Sequence, residues 1–199
     1  IITRNVRVNN NGKESIYIDK ILSCTMDFLT GNFDVLSFYG RHMMERIPER
    51  AEIKHGKQCF ESRRGTSSHE QNPFLIIADE LTNQQAGACY GMSFMYSGNF
   101  LVEAEKDQFD QTRVQMGLSD EMFDYKVEAG DTFVAPQVIL SYTENGLNAL
   151  SQQYHTFIRR HVCRGKYKEI PRPVLLNNWE ATYFDFDGKK ILQIARQAA

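Results

Sequence analysis

The strongest constraint on the fold is how often turn residues interrupt the first two-thirds of the chain. Short segments rich in β-branched and aromatic residues lie between turns such as NNNGK (9–13) and Gly130-Asp131. Turns that recur about every 8 to 12 residues are typical of a β-sandwich or β-barrel. Aromatic residues make up 12% of the sequence, which suits strands and also the apolar face of a sugar ring. We therefore predict a mainly β fold.

Three segments give the clearest strand predictions. VLSFYGRHMMER (35–46) reads as one strand, and NPFLIIADE (72–80) is a short apolar run without alternation, typical of a strand buried on both faces. The segment at 87–107, GACYGMSFMYSGNFLVEAEKD, is predicted to form a hairpin pair that turns at Ser97-Gly98-Asn99.

The pattern changes near residue 145. Apolar residues in GLNALSQQYHTFIRRHV (146–162) recur at helical spacing, which predicts one amphipathic helix. Positive side chains in its last turns suit the helix dipole. The basic stretch CRGKYKEIPRP (163–173) contains two prolines and is interpreted as a linker.

The last segment looks like the start of a parallel α/β domain. VLL (174–176) is predicted as a buried strand, and DGKKILQIARQ (187–197) as a helix. One strand and one helix cannot bury their own apolar faces, which favours a first βα unit of a larger domain. The alternative is a terminal helix that packs back on the sandwich.

Local motifs for catalysis are missing from the sequence. Walker-A, GxGxxG, HExxH and GxSxG patterns do not occur, and the five histidines are scattered singly. Asp185 and Asp187 are two positions apart and could be offered as an acid–base pair. The simpler interpretation is that Asp187 caps the helix that follows it. The cluster SRRGTSS (62–68) could bind phosphate, but a rigid turn held by hydrogen bonds is favoured because no aromatic ladder accompanies it.

Composition limits the partners and the compartment. The net charge of −2 gives no reason to expect nucleic acid or a membrane surface as a partner. The four cysteines lie far apart without a CxxC pair, so neither zinc nor any other cofactor is expected, and reduced thiols are favoured. With no visible signal peptide, a cytoplasmic location is expected, although the chain begins at Ile1 without Met.

Three segments together resemble one enzyme family. They are SRRGTSSHEQNPF (62–74), YSGNFLVEAEKDQFDQTRVQMGL (96–118) and RPVLLNNWEATYFDF (172–186). In this order and spacing they resemble the bacterial α-galactosidases of glycoside hydrolase family thirty-six, in the large and usually tetrameric branch. The resemblance runs from around Val35 to the end of the chain.

The resemblance implies a fold and a division into domains. Residues 1–165 are expected to form a β-supersandwich of the galactose-mutarotase-like kind, without its own beginning. Residues 166–199 are expected to hold the linker and the first strand and helix of a (β/α)8 catalytic barrel. This agrees with the unaccompanied βα unit that burial alone predicts.

The resemblance also implies hydrolysis of terminal α-galactosyl groups in melibiose- and raffinose-type sugars, with retention of configuration. In the family, both catalytic aspartates lie on later barrel strands, so no catalytic residue is assigned to this chain. Trp179 follows VLLNN at the expected carboxyl end of the first barrel strand, where active sites form. It is therefore a candidate sugar contact, and the alternative is a side chain that closes the barrel mouth.

Tyr125 is the second candidate substrate contact. The family pattern has Trp at this position, and that Trp reaches the substrate from the supersandwich. The family also has Thr-Pro-Glu where this chain has Ala135-Pro136-Gln137 (135–137). Tyrosine keeps a stacking face, so contact can survive the replacement, and the alternative is an aromatic residue in the core of a strand.

Arg63, Arg64 and His69 are expected to tether the domain to the barrel or to a neighbouring subunit.

Two other interpretations of the chain stay open. The chain could instead be a non-catalytic carbohydrate-binding β-sandwich, or a domain whose role is to build the oligomer. A plant branch of the family that makes sucrose-linked oligosaccharides fits less well, because the spacing of NNWEATYFDF differs.

Overall fold

The computed structural model describes residues 1–198 and is dominated by strands. The strands are, in chain order, β1 (Ile2–Arg4), β2 (Arg7–Asn9), β3 (Ile16–Ile18), β4 (Leu22–Phe28), β5 (Phe33–Arg41), β6 (Met44–Glu52), β7 (Gly56–Ser62), β8 (Phe74–Asp79), β9 (Cys89–Phe94), β10 (Phe100–Lys106), β11 (Thr112–Leu118), β12 (Tyr125–Val127), β13 (Thr132–Val134) and β14 (Val138–Thr143). The helices are α1 (Gly146–Phe157), a π-helix (Ile158–Val162), a 3-10 helix (Lys166–Lys168), α2 (Trp179–Thr182) and α3 (Gly188–Ala198). The prediction of a mainly β fold is confirmed.

Two compact units divide the chain, one at Ile1–Ile158 and the other from Arg159 onward. All the strands belong to the first unit, while α2 and α3 belong to the second. The boundary between domains that the sequence places after residue 165 stays a prediction.

The first unit is built from antiparallel sheets. One sheet has six strands in the order β1-β14-β9-β8-β5-β6, and another has three strands in the order β10-β11-β4. Two short ribbons, β12–β3 and β13–β2, accompany them, and β7 belongs to none of these sheets. All the strand pairings within these sheets are antiparallel, which is typical of sandwich folds, as the turn spacing predicts.

The main core lies between the six-stranded and three-stranded sheets. Val35 and Ile77 enter it from the larger sheet, and Phe100 and Met116 from the smaller sheet. Each of these four side chains is at most 1% exposed. Burial of a side chain of this size contributes about 1.5–3 kcal/mol, so this layer is the main source of the unit's stability.

A second core lies on the opposite face of the six-stranded sheet, beneath α1. Ile76 and Ile139 point to it, whereas their chain neighbours Ile77 and Val138 point to the main core. Leu150 of α1 closes this second core. β8 is therefore covered on both faces, which confirms the prediction made from NPFLIIADE.

Two strand predictions are wrong in detail. Residues 35–46 do not form one strand, because the chain reverses after Arg41 and returns as β6 antiparallel to β5. Met43 adopts a positive φ of 63° in this reversal. Residues 87–107 do not form a hairpin, because β9 pairs with β8 and β14 while β10 pairs with β11. The turn at 97–99 carries the chain from one sheet to another.

The helical segment at 146–162 is confirmed as α1 followed by the five-residue π-helix. The strand predicted at 174–176 is not formed: Val174 is 100% exposed and Leu175 is 89% exposed. A strand exists through its hydrogen-bonded neighbours, and none of the described sheets includes a strand from the second unit. The helix predicted to begin after Asp187 is present as α3.

Candidate functional site

Tyr125, the first candidate contact, begins β12 at the surface of the first unit. Its Cα pairs with Ile18 of β3, and its side chain is 46% exposed. The ring packs on Phe133 of β13 with centroids 4.6 Å apart and planes tilted by 54°. Phe133 in turn packs against the main core. Tyr125 is thus a partly exposed residue whose ring is held in place by packing on Phe133, as is typical of a residue that stacks on a sugar.

The backbone beneath Tyr125 is held by Asn10, which sequence analysis did not identify. Asn10 is buried, and its Nδ2 lies within hydrogen-bond distance of the carbonyl oxygens of Val127 (3.0 Å), Glu128 (3.1 Å) and Glu14 (2.8 Å), so its two hydrogens are shared among three acceptors. Its backbone carbonyl accepts a hydrogen bond from Gly130 N–H at 2.8 Å. One amide therefore ties the end of β12 and the turn after it to the N-terminal strands.

Charges beside Tyr125 are balanced. Lys126 Nζ lies 2.7 Å from Glu128 Oε1, and Ser15 donates to the same carboxylate at 2.5 Å. The hydrogen bonds from Lys126 and then Ser15 lower the pKa of Glu128, and the bond to Glu128 raises the pKa of Lys126. This surface offers polar partners for hydroxyl groups without an excess of either charge.

Trp179, the second candidate contact, begins the short helix α2 of the second unit. Its backbone N–H donates to Asn177 Oδ1 at 3.0 Å. The turn is closed by Asn178 and Thr182: the Thr182 hydroxyl donates to Asn178 O at 2.9 Å and accepts from Asn178 Nδ2 at 2.8 Å. Thr182 is buried, and its two hydrogen bonds with Asn178 hold this four-residue helix in place.

Trp179 is 44% exposed as a residue, and its indole meets two other rings. The Tyr183 ring lies 5.5 Å away at 79°, and the Phe184 ring lies 4.9 Å away at 88°. Both are edge-to-face arrangements, which aromatic pairs prefer. Trp179 is thus a partly exposed residue whose ring is held by two aromatic neighbours. Sugar contact by Trp179 and by Tyr125 stays a prediction.

Asp185 and Asp187 both have structural partners. Asp187 Oδ1 accepts the backbone N–H of Lys190 at 2.9 Å, the bond expected of a residue that caps α3. Lys190 Nζ donates to Asp185 O at 2.7 Å and to Asp185 Oδ2 at 3.0 Å. The capping interpretation of Asp187 is confirmed, and the arrangement gives no support to these two residues as an acid–base pair.

SRRGTSS forms a loop tied by hydrogen bonds, which confirms the prediction of a rigid turn. Ser62 Oγ donates to Thr66 O at 2.6 Å, and Gly65 N–H donates to Asn99 Oδ1 at 2.6 Å. The loop borders a cavity of about 420 Å³. The residues that line it are Glu61, Ser62, Arg63, Arg64, Ser68, Glu70 and Gln71.

Both arginines of the loop are paired with carboxylates. Arg64 Nη2 lies 2.5 Å from Glu70 Oε2. Arg63 Nε lies 2.9 Å from Glu61 Oε1, and Arg63 Nη1 lies 3.1 Å from Glu121 Oε2. Their charges are thus compensated within the chain, which weakens the phosphate-binding interpretation. His69 is an exposed residue of the same loop.

Residues 1–198 contain neither a cluster of metal-ligating side chains nor a helix that could span a membrane. In that range no group of three or more His, Cys, Asp or Glu side chains is placed to hold a metal ion. None of the helices described there is long and apolar enough to cross a bilayer. All four cysteines are free thiols, two of them buried, at Cys24, Cys59, Cys89 and Cys163.

Comparison with curated proteins gives similarity along the whole chain. It is 56% identical to the bifunctional α-galactosidase/sucrose kinase AgaSK of Mediterraneibacter gnavus and covers 21% of that protein. It is 44% identical to the α-galactosidase AgaA of Geobacillus stearothermophilus and covers 27% of it. The chain therefore spans about a quarter of the length of the curated relatives that it matches.

Solved structures agree with the sequence matches. The galactosidase domain of AgaSK matches 98% of this chain with a TM-score of 0.93, and this chain covers 27% of it. AgaA matches 98% of the chain with a TM-score of 0.94 at 43% identity, with the same 27% coverage. Variants of AgaA solved with stachyose and with raffinose match equally, with TM-scores of 0.94 and 0.93.

Two family models account for almost all of the sequence. The model of the glycosyl hydrolase family 36 N-terminal domain matches residues 1–128. The melibiase model matches residues 132–199. The first model alone covers more than half of the chain, and the strand architecture agrees with that of solved members. The chain belongs to glycosyl hydrolase family 36.

Proposed function

We propose that this chain is part of a retaining α-galactosidase that removes terminal α-galactosyl groups from melibiose- and raffinose-type oligosaccharides. The observation that carries the proposal is identity of 42–56% over the full chain to bacterial α-galactosidases. The AgaA complexes with raffinose and stachyose support the choice of substrate class.

The chemistry requires two carboxyl groups about 5–5.5 Å apart, one to attack the anomeric carbon and one to act as acid and then as base. Asp187 caps α3 and Asp185 binds Lys190, so both carboxylates have structural partners and the arrangement does not favour them for this role. The proposal places both catalytic carboxylates on later barrel strands, outside this chain. The chain itself is then inactive when expressed alone.

The proposed contribution of this chain is to hold aromatic rings against the sugar. A flat ring covers the apolar C–H face of a galactosyl group, while polar neighbours bind its hydroxyls. Trp179 is 44% exposed and Tyr125 is 46% exposed, and each is supported by at least one further ring. These properties support the two residues as substrate contacts in the complete enzyme.

Kinetics on the full-length enzyme test this proposal. We expect raffinose to yield galactose and sucrose, and lactose, a β-galactoside, to stay intact. Trp179→Ala should raise KM for raffinose about tenfold or more, the usual cost of removing an aromatic hot spot. Tyr17→Ala is the matched control for Tyr125→Ala, because Tyr17 is also an exposed tyrosine of the same ribbon, at 64% exposure. Tyr17 pairs with Lys126, the residue next to Tyr125, and side chains at successive positions of a strand lie on opposite faces. An unchanged KM in Trp179→Ala and Tyr125→Ala would remove both residues from the site.

A second candidate is a non-catalytic carbohydrate-binding or oligomer-building β-sandwich. The observation that favours it is that the first unit closes two hydrophobic cores from its own residues. Calorimetric titration of this chain with galactose and raffinose separates the two functions. Binding by the chain alone at millimolar sugar would favour the module, whereas the α-galactosidase proposal expects none.

Three finer features belong to the same proposal. The second unit would begin a (β/α)8 barrel, the full-length enzyme would be a homotetramer, and it would reside in the cytoplasm without nucleic acid or membrane partners. The melibiase match at residues 132–199 supports the first, and free thiols at all four cysteines support a reducing compartment. Sedimentation velocity of the full-length enzyme would reveal the number of subunits.

A further inference from the structure

Two consecutive residues of the second unit, Tyr183 and Phe184, both place their rings against Trp179. The ring centroids lie 5.5 Å and 4.9 Å from the indole. Tyr183 follows Trp179 by four residues, and side chains at this spacing are neighbours on a helical turn. Phe184 lies one residue beyond that turn, so its contact with the same indole depends on how the backbone bends at Tyr183.

The bend is made at Tyr183, which has φ 47° and ψ −119°. This combination lies outside the regions open to residues with a side chain, and the ψ value also separates it from the left-handed helical region. Glycine adopts such a conformation without strain, because it has no Cβ. The Tyr183 N–H donates to Trp179 O at 2.8 Å, which fixes the bend to the residue that carries the indole.

The strain at Tyr183 is not offset by burial of the residue, which is 56% exposed. With this bend, the Tyr183 and Phe184 rings both lie edge-on to the Trp179 indole. The other side of Trp179 is fixed as well, because Asn177 Oδ1 accepts its backbone N–H. Strained residues that persist in this way are typical of sites where a side chain must be held ready for a ligand.

We propose that Tyr183 is a positioning residue, whose bent backbone and ring hold the Trp179 indole in the orientation that receives the galactosyl group. This inference rests on the proposed function, because it needs Trp179 to contact the sugar. Tyr183 acts through Trp179 and needs no contact with the substrate itself.

Steady-state kinetics of the full-length enzyme on raffinose test the inference. Tyr183→Ala should raise KM roughly threefold to tenfold, the range for loss of one aromatic pair, with a smaller change in kcat. Tyr183→Phe keeps the ring and should restore the wild-type KM. Tyr183→Gly accepts the positive φ without strain, so it keeps the bend and folds readily, yet it should raise KM as Tyr183→Ala does.

A double-variant cycle shows whether Tyr183 acts through Trp179. Adding Tyr183→Ala to Trp179→Ala should raise KM no further, because the positioned ring is already gone. Additive effects, or a wild-type KM in both Tyr183→Ala and Tyr183→Gly, would overturn the inference while leaving the α-galactosidase proposal intact. Absence of raffinose hydrolysis by the wild-type enzyme would instead remove the proposed function, and the inference with it.

Discussion

Gly91 of β9 leaves the space that the Tyr154 ring of α1 occupies. A Cβ atom on Gly91 would lie 2.5 Å from Tyr154 Cε2 and 2.8 Å from its hydroxyl oxygen. The Tyr154 hydroxyl donates to Ile139 O of the neighbouring strand at 2.9 Å. The helix is thus seated on the six-stranded sheet by one ring that fits over one glycine.

Gly91→Ala should destabilise the first unit, because the new methyl group overlaps the Tyr154 ring. Overpacking of a well-filled core costs about 1–3 kcal/mol, measured as the free energy of unfolding in urea. Gly188→Ala is the control, since a Cβ there meets nothing within 4 Å and should leave stability unchanged or slightly higher. Equal stability of Gly91→Ala and the wild type would contradict the proposed fit of ring and glycine.

Tyr154→Phe should lower the free energy of unfolding by about 1 kcal/mol, the usual net value of one buried hydrogen bond. Burial raises the pKa of Tyr154 well above its usual range, so the hydroxyl stays protonated and able to donate at any pH used. Tyr154→Ala also empties the ring's space and should cost about 3–5 kcal/mol. The same urea titration compares the two variants, and a similar loss in both would show that the ring contributes little.

Asn10→Ala should be among the most destabilising polar substitutions in the chain. It leaves the buried carbonyl of Val127 without its side-chain donor, and weakens the turn after β12. The expected loss is about 1–3 kcal/mol, the cost of an unsatisfied buried group. The exposed neighbour Asn11 is the control, and Asn11→Ala should change the unfolding free energy by less than about 0.5 kcal/mol. Similar losses in both variants would refute the special role of Asn10.

The ion pair between Lys20 and Asp120 should make the stability of the fold depend on pH. Lys20 Nζ lies 3.0 Å from Asp120 Oδ2, and the hydrogen bond from Lys20 lowers the pKa of Asp120 in the folded state. Because the pKa of Asp120 is lower in the folded state, the ionised carboxylate stabilises the fold fully at pH values above the unfolded-state pKa of about 3.9. This stabilisation is lost as the pH falls through the folded-state pKa.

Asp120→Asn should therefore lower the melting temperature at pH 6, and the difference from the wild type should shrink below about pH 4. Both side chains are about two-fifths exposed, so the effect should stay below about 1 kcal/mol and weaken further in high salt. Asp124→Asn, at an exposed position nearby, is the control. A difference that grows as the pH falls would contradict the pairing.

The sequence correctly predicted the features that depend on residues close together in the chain. Asp187 caps α3, and the apolar run 72–80 is covered on both faces, as its composition required. The reversal after Arg41 was missed because RHMM contains no turn residue. Its one signal was Gly40, where a Cβ would lie 2.4 Å from Met44 O.

The features that sequence reasoning missed depend on distant partners. The turn at 97–99 was recognised, but a turn cannot show that β9 and β10 join different sheets. Among three consecutive asparagines in 9–11, no local rule marks Asn10 as the one whose amide reaches Val127 and Glu128. Trp179 was found by resemblance, whereas the strain at Tyr183 could be seen only in the backbone angles.

The central claim is best tested by hydrolysis of a chromogenic α-galactoside, with this chain and the full-length enzyme assayed side by side. An active full-length enzyme and an inactive 199-residue chain are the predicted result. Activity in the chain alone would require the catalytic carboxylates to lie within it, and Asp185 and Asp187 would be the first to re-examine. A full-length enzyme without activity on any α-galactoside would contradict the account and favour the binding module.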